Sequence, residues 1–382
     1  MGKIFLITGG EGFIGRNIRK YIADHGMDAS TLDISGNPDY RVSVTDFTSL
    51  MKIEDHFDGI FHMAALTSPP QFEDDPLYGF QVNANGTLNV LEFAKRRGIG
   101  RVVLASSSAT YGDTGIVSVE DNLPPAHFNL YPVTKIVDEH LARYYSVRKE
   151  VECISLRYFN TYGPGENTKS QYASVIWRFI KAIHSGDRPV IYGDGKQRRD
   201  FIYVEDTARA SVLAMLHGSP GESYNVGTGV STTFNEIFNT VREEMHSQVQ
   251  AYHVPNPLKN YQYFTQADMT KTARELGFKP EYDLRSGIRK MLQNEREVKR
   301  QKLFHNSFRE WSRTVRNSTQ INSNRSLGCS NNSTCILSHK YISLKCLQEV
   351  NLHGVYNACY CLLLQLTIRI IFSKGIHWFS SS

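Results

Sequence analysis

Apolar residues along the chain follow two alternating rhythms. Ile4-Phe5-Leu6-Ile7 is a short unbroken run of β-rich residues, which predicts a buried parallel strand. Phe13, Ile14, Ile18, Tyr21 and Ile22 then recur at helical spacing, so a strand passes through a glycine-rich turn into a helix. Ala29-Ser30-Thr31-Leu32 reads as a second strand ending in Asp33. Asp58 to His62 and Arg101 to Ala105 read as further strands, with a helix from Gly86 to Arg97 between them. Tyr131 to Arg148 predicts a long helix and Val151 to Leu156 the next strand. This alternation persists to about Leu292 and argues for an α/β fold, a parallel sheet covered by helices.

After Arg300 the rhythm dissolves into Ser, Asn, Arg and Cys. Charge changes at the same place. Residues 293–382 hold 12 Lys and Arg against 4 Glu and no Asp, so the chain's net charge of +5 leaves residues 1–292 at −3. A mildly acidic body excludes the nucleic-acid reading that the overall charge invites. Cysteine follows the same division: Cys153 is alone before residue 329, and the other five lie in the tail without paired metal spacing. A body with one thiol and no secretory leader pattern reads as cytoplasmic. The apolar run Val355 to Phe372 contains Gln365 and Arg369 and is barely long enough to span a bilayer. The expected organisation is one unit over 1–295, with a nucleotide-binding core over about 1–160 and a smaller substrate-binding part lying mostly in 160–295. Residues 296–382 are expected to be a disordered or aberrant extension.

The turn Thr8-Gly9-Gly10-Glu11-Gly12-Phe13-Ile14-Gly15 carries the first chemistry. Gly9 permits a tight turn, Gly12 lets backbone amides approach a ligand, and Gly15 lets the helix sit close to the sheet. The helix N-terminus then faces a pyrophosphate. Asp33 ends the second strand, where a carboxylate accepts from ribose hydroxyls, and no Lys or Arg follows until Arg41, which favours NAD over NADP. A second constellation pairs Ser106-Ser107-Ser108 at a strand end with Tyr131-Pro132-Val133-Thr134-Lys135. Tyr131 and Lys135 share a helix face, and a lysine beside a phenol favours the phenolate, so Tyr131 is the expected base. Ser107 is expected to hydrogen-bond the same substrate hydroxyl.

In these motifs, over about residues 2–292, the chain resembles the extended short-chain dehydrogenase/reductase superfamily, in particular its nucleotide-sugar epimerases. The resemblance implies a Rossmann-type doubly wound sheet with a smaller C-terminal substrate-binding part, an NAD cofactor, a nucleotide-diphosphate sugar as substrate, and a homodimer. It implies that Ser107, Tyr131 and Lys135 are catalytic, and that Gly9, Gly12, Phe13, Ile14, Gly15 and Asp33 form the cofactor pocket. His62-Met63-Ala64-Ala65 matches a segment lining the NAD through Ala64 and Ala65. Asn83 matches an asparagine that steadies the active-site water and cofactor, and Tyr158 one placed near the nicotinamide. Thr67, Asn160 and Arg199 are expected on the substrate, Arg199 through its diphosphate. Ser43-Val44 stands where relatives carry Asp-Ile or Asp-Val against adenine.

Dehydratases of the superfamily resemble Asp-Glu after the catalytic hydroxyl, and decarboxylases place a Glu two before the Tyr-Gly. This chain has Ser108 and Ala109 there, so epimerisation is the expected reaction. Two substrates fit. The general pattern suits a UDP-glucose/galactose 4-epimerase. The stretches Gly163 to Val175 and Tyr261 to Asp268 look like ADP-glycero-manno-heptose 6-epimerases, in which a lysine at the place of Lys169 is a second catalytic and substrate-binding base.

Overall fold

In the computed structural model of the chain, seven strands form a wholly parallel sheet in the order β10-β6-β5-β4-β1-β2-β3. They are β1 (Ile4–Thr8), β2 (Asp28–Asp33), β3 (Tyr40–Arg41), β4 (Gly59–His62), β5 (Arg101–Ser107), β6 (Glu152–Tyr158) and β10 (Ser223–Val226). The structure describes residues 3–67, 72, 74–124, 127, 129–166, 173–257, 262–297, 300, 301 and 307. The chain divides into the units Met1–Lys302 and Leu303–Ser382, and the account below concerns the first.

Consecutive side chains of each strand enter opposite cores, as a doubly wound sheet requires. Phe5 and Ile7 pack with Val103, Ile154 and Leu156 against helices Phe13–Asp24 and Val204–His217. Leu6, Val102 and Leu104 pack on the other face with Val90 and Phe93 of helix Gly86–Arg97 and Ala142 and Tyr145 of helix Leu130–Val147. This is the Rossmann-type fold. β1 is hydrogen-bonded to both β2 and β4, so chain order reverses there and a crevice opens at the strands' C-terminal ends.

A third core belongs to the later part of the chain. Strands β7 (Asn160–Tyr162), β9 (Arg198–Tyr203) and β11 (Ser231–Thr233) form a small mixed sheet, and β8 (Val190–Tyr192) pairs with β12 (Tyr252–Val254). Ile176, Phe179 and Ile180 of helix Val175–His184 pack there with Ile237, Phe238 and Val241 of helix Phe234–Glu244. Val204–His217 and β10 return to the main sheet after the small sheet has begun.

Among the described residues no helix is long and apolar enough to cross a membrane. The expectation for residues 296–382 falls almost wholly outside the described residues. Because charge, cysteine use and periodicity all change near residue 300, a chain ending at Leu303 is expected to melt and turn over like the full chain. An insoluble or inactive truncated protein would make the tail part of the enzyme.

Candidate active site

A cleft of about 590 Å³ runs along the C-terminal ends of β1, β2, β4, β5 and β6. Its floor at one end is the glycine turn. Gly9 adopts φ +64°, and a Cβ there would lie 2.7 Å from the Ala64 nitrogen, so the turn is pressed against the segment that follows β4. A Cβ on Gly15 would collide with the Gly9 carbonyl. The third glycine therefore packs on the turn itself, where the sequence suggested the sheet. Gly12 caps helix Phe13–Asp24 without a side-chain bond, so the first-turn amides lie beside the cleft as an anion-binding end. The Asp33 carboxylate accepts from the Glu11 amide (3.1 Å) and from Ser35 N and Oγ (3.0 and 3.1 Å). Phe13, Ile14, Ser43, Val44, Ala64 and Ala65 line the walls. A turn too tight for a Cβ at Gly9 or Gly15, amides beside the cleft and a carboxylate at the second strand's end suit the pyrophosphate and ribose of NAD.

At the other end Ser107, Tyr131 and Lys135 face the same cleft. Ser107 ends β5, where its Oγ accepts from the Ala109 amide (3.1 Å). Tyr131 lies in the first turn of Leu130–Val147, edge-on to Phe72 with ring centroids 5.8 Å apart. Lys135, one turn on, is buried and donates to Asp138 Oδ2 at 3.1 Å. Asp138 is buried as well, and its Oδ1 has no hydrogen-bond partner among the described residues. Burial pushes the Asp138 carboxyl up, and the Lys135 ammonium and the Thr87 hydroxyl draw it back. Thr87 also lies 3.1 Å from His62 Nε2, and His62 Nδ1 lies 2.7 Å from Thr8 Oγ1. A buried polar chain thus runs beneath the cleft from β1 to the helix carrying Tyr131.

The structure brings most of the expected residues together. Thr67 and Tyr158 also line the cleft, and Tyr158 holds Ser211 Oγ at 2.8 Å through its hydroxyl. Asn83 does not line it. Its amide sits in a π-helical turn, Gln81–Asn85, accepting from Leu66 N (2.8 Å) and donating to Leu66 O (3.0 Å) and Thr134 Oγ1 (3.1 Å). It brackets the 64–67 wall to the Tyr131 helix from behind. Asn160 and Arg199 are also outside the lining. Asn160 donates to Asp200 O (3.1 Å) and Thr265 Oγ1 (3.4 Å), while the Arg199 guanidinium donates to the carbonyls of Arg198 and Gln262. Lys169 lies outside the described residues. The buried Glu166 carboxylate accepts from Ser174 N and Oγ (3.0 and 2.7 Å), tying together the two sides of that stretch.

Sequence reasoning missed Asp138 and the His62 side chain. Asp138 had a signal, an acid three residues after Lys135 on the same helix face. It also missed how Arg41 is placed. β3 pairs with β2 so that Arg41 stands directly opposite Asp33, and distance along the chain overstated their separation.

Complete burial, aided by the Lys135 charge, brings His62 down to about 3 from its ordinary 6.5, so it is neutral in the folded protein. The unfolded chain takes up a proton there below pH 6.5 and the folded one does not. The resulting stability is fully present above pH 6.5 and lost as pH falls towards 3. In urea titrations the stability gap between wild type and His62→Gln should narrow by about 1.4 kcal/mol per pH unit between roughly pH 6 and 4. A gap that does not change with pH would show that His62 does not titrate this way.

The model of the NAD dependent epimerase/dehydratase family matches residues 5–227. A candidate UDP-glucose 4-epimerase of Methanocaldococcus jannaschii is 32% identical over 301 residues, 76% of this chain and 97% of the relative. The UDP-N-acetyl-alpha-D-glucosaminuronate decarboxylase of Bacillus cytotoxicus is 30% identical, covering 78% of this chain and 99% of its own length. The crystal structure of the Helicobacter pylori ADP-L-glycero-D-manno-heptose-6-epimerase superposes with a TM-score of 0.67 at 28% identity, over 77% of this chain and 96% of that one. With a family model spanning the glycine turn, Asp33 and the Ser107–Tyr131–Lys135 corner, the chain belongs to the NAD dependent epimerase/dehydratase family, and NAD is its cofactor.

Proposed function

We propose that the chain is a nucleotide-diphosphate-sugar epimerase of the UDP-hexose 4-epimerase type. The observation that carries this reading is the content of the reactive end of the cleft. Ser107, Tyr131 and Lys135 line it, and in the sequence Ser108 and Ala109 stand at the positions where relatives that expel water or lose a carboxylate carry an acid. Nearby carboxylates are committed elsewhere: Glu139 forms a two-pronged pair with Arg157 (2.8 and 2.6 Å), and Glu120 accepts from the Asn225 amide (3.0 Å). Similarity to a decarboxylase therefore reaches the scaffold and stops short of that chemistry.

In this reading Tyr131 accepts the proton of the reacting sugar hydroxyl and later returns it, with Ser107 hydrogen-bonded to the same oxygen. Lys135, held in place by Asp138, stands one helical turn from the phenol. NAD held in the cleft would supply a hydride acceptor and then a hydride donor for the carbinol carbon, with no net consumption of cofactor. Gly9, Gly12, Phe13, Ile14, Gly15, Asp33, Ser43, Val44, Ala64 and Ala65 hold the cofactor, with Asn83 steadying the wall from behind. The keto sugar turns between the two transfers, and the configuration at one carbon inverts.

The test is to offer UDP-glucose, UDP-galactose and ADP-heptose and follow interconversion by NMR together with NADH absorbance. Interconversion of a UDP-hexose without net NADH formation is expected, whereas stoichiometric NADH would indicate a dehydrogenase. Similarity to the heptose epimerase and the Lys169 stretch favour a second reading, inversion at C6 with a base on each face of the sugar. Lys169→Met separates the two. In a 4-epimerase it should chiefly raise KM, by no more than the roughly 1.5–3 kcal/mol of a lost charged hydrogen bond. In a two-base enzyme kcat itself should fall at least about a hundredfold.

A further inference from the structure

We propose that Glu11, together with Asp33, selects NAD against its 2′-phosphorylated form. The inference rests on the adenosine ribose lying against Asp33 at the end of β2. Glu11 lines the cleft in the glycine turn, and its amide donates to Asp33 Oδ2 at 3.1 Å, so the two acidic residues adjoin. The side chain is only 11% exposed and fixed. Its Oε2 accepts from Arg16 Nη2 at 3.0 Å and crosses so close to the loop after Asp33 that a Cβ on Gly36 would lie 2.7 Å from it. Two carboxylates therefore flank the place where a 2′-phosphate would have to sit.

Among the described residues, the two arginines of this corner are held by hydrogen bonds. Arg16 is bound to Glu11. Arg41, opposite Asp33 in the sheet, donates to the carbonyls of Ile34 (3.0 Å) and Gly36 (2.6 Å) and so braces the loop. A phosphate dianion arriving here meets the Glu11 and Asp33 carboxylates, and Arg41 could reach it only by giving up its bonds to the loop carbonyls. A ribose 2′-hydroxyl carries no charge and meets only acceptors. Asp33 alone would serve that hydroxyl; Glu11 adds repulsion.

The test measures affinity for NADH and NADPH by fluorescence on the full chain at low salt, after removal of retained cofactor. Wild type should prefer NADH. Glu11→Gln should tighten NADPH at least about fivefold while NADH changes less than about twofold, and Glu11→Gln with Asp33→Asn should tighten NADPH further. Glu11→Ser provides the same comparison if the glutamine variant does not fold. An unchanged NADH to NADPH ratio would overturn the proposal, as would parallel weakening of both, which would mean that Glu11 only shapes the turn. Failure of wild type to bind NADH would instead strike at the placement of the cofactor itself.

Discussion

Tyr131→Phe is expected to lower kcat at least about a hundredfold while leaving NADH affinity and thermal stability near wild type. The side chain is buried in the first turn of its helix, edge-on to Phe72, and the substitution removes only the hydroxyl. Phenylalanine keeps that packing and loses the group proposed to carry the proton in both directions. Loss of a positioned acid–base group costs roughly two to four orders of magnitude. The measurement is steady-state epimerisation, with NADH binding and a melting curve as controls. Near-normal turnover would remove Tyr131 from the chemistry.

Asp138→Asn should be the most destabilising conservative change in helix Leu130–Val147, at about 3–5 kcal/mol. Lys135 and Asp138 lie 3.1 Å apart, both almost wholly out of solvent. Removing one member of such a pair leaves an uncompensated charge in low dielectric, which costs far more than the pair itself contributes. Lys135→Met combined with Asp138→Leu should recover most of the loss, since no charge then remains buried. Urea unfolding of the single and double variants gives the comparison. A cost below about 1 kcal/mol for Asp138→Asn would mean that water reaches the lysine.

The glycine turn, Asp33 and the Tyr131–Lys135 pair were legible because each is local. A strand, turn and helix are contiguous, and residues four apart on a helix must share a face. The parallel sheet was legible for the same reason, since its strands are short apolar runs separated by amphipathic helices. What escaped was set by pairings between distant segments. Nothing in the sequence announces that β3 returns to place Arg41 beside Asp33. Nor does a matched asparagine reveal that Asn83 spends its amide on Leu66 and Thr134, behind the wall formed by residues 64–67. The Arg199 guanidinium donates to the carbonyl of Gln262, sixty-three residues away, a pairing that the local motif does not announce.

The position of β10 has a consequence for synthesis. Six of the seven strands of the main sheet lie before residue 159, but the seventh, Ser223–Val226, pairs with β6 only after two of the three strands of the small sheet have been made. Until then one edge of β6, whose residues Cys153 to Tyr158 are all buried in the finished protein, has no partner for its backbone. An unpaired apolar edge is a template for another chain. A nascent chain stalled between about residues 160 and 222 would be a sticky species, and release from that hazard comes with a four-residue strand.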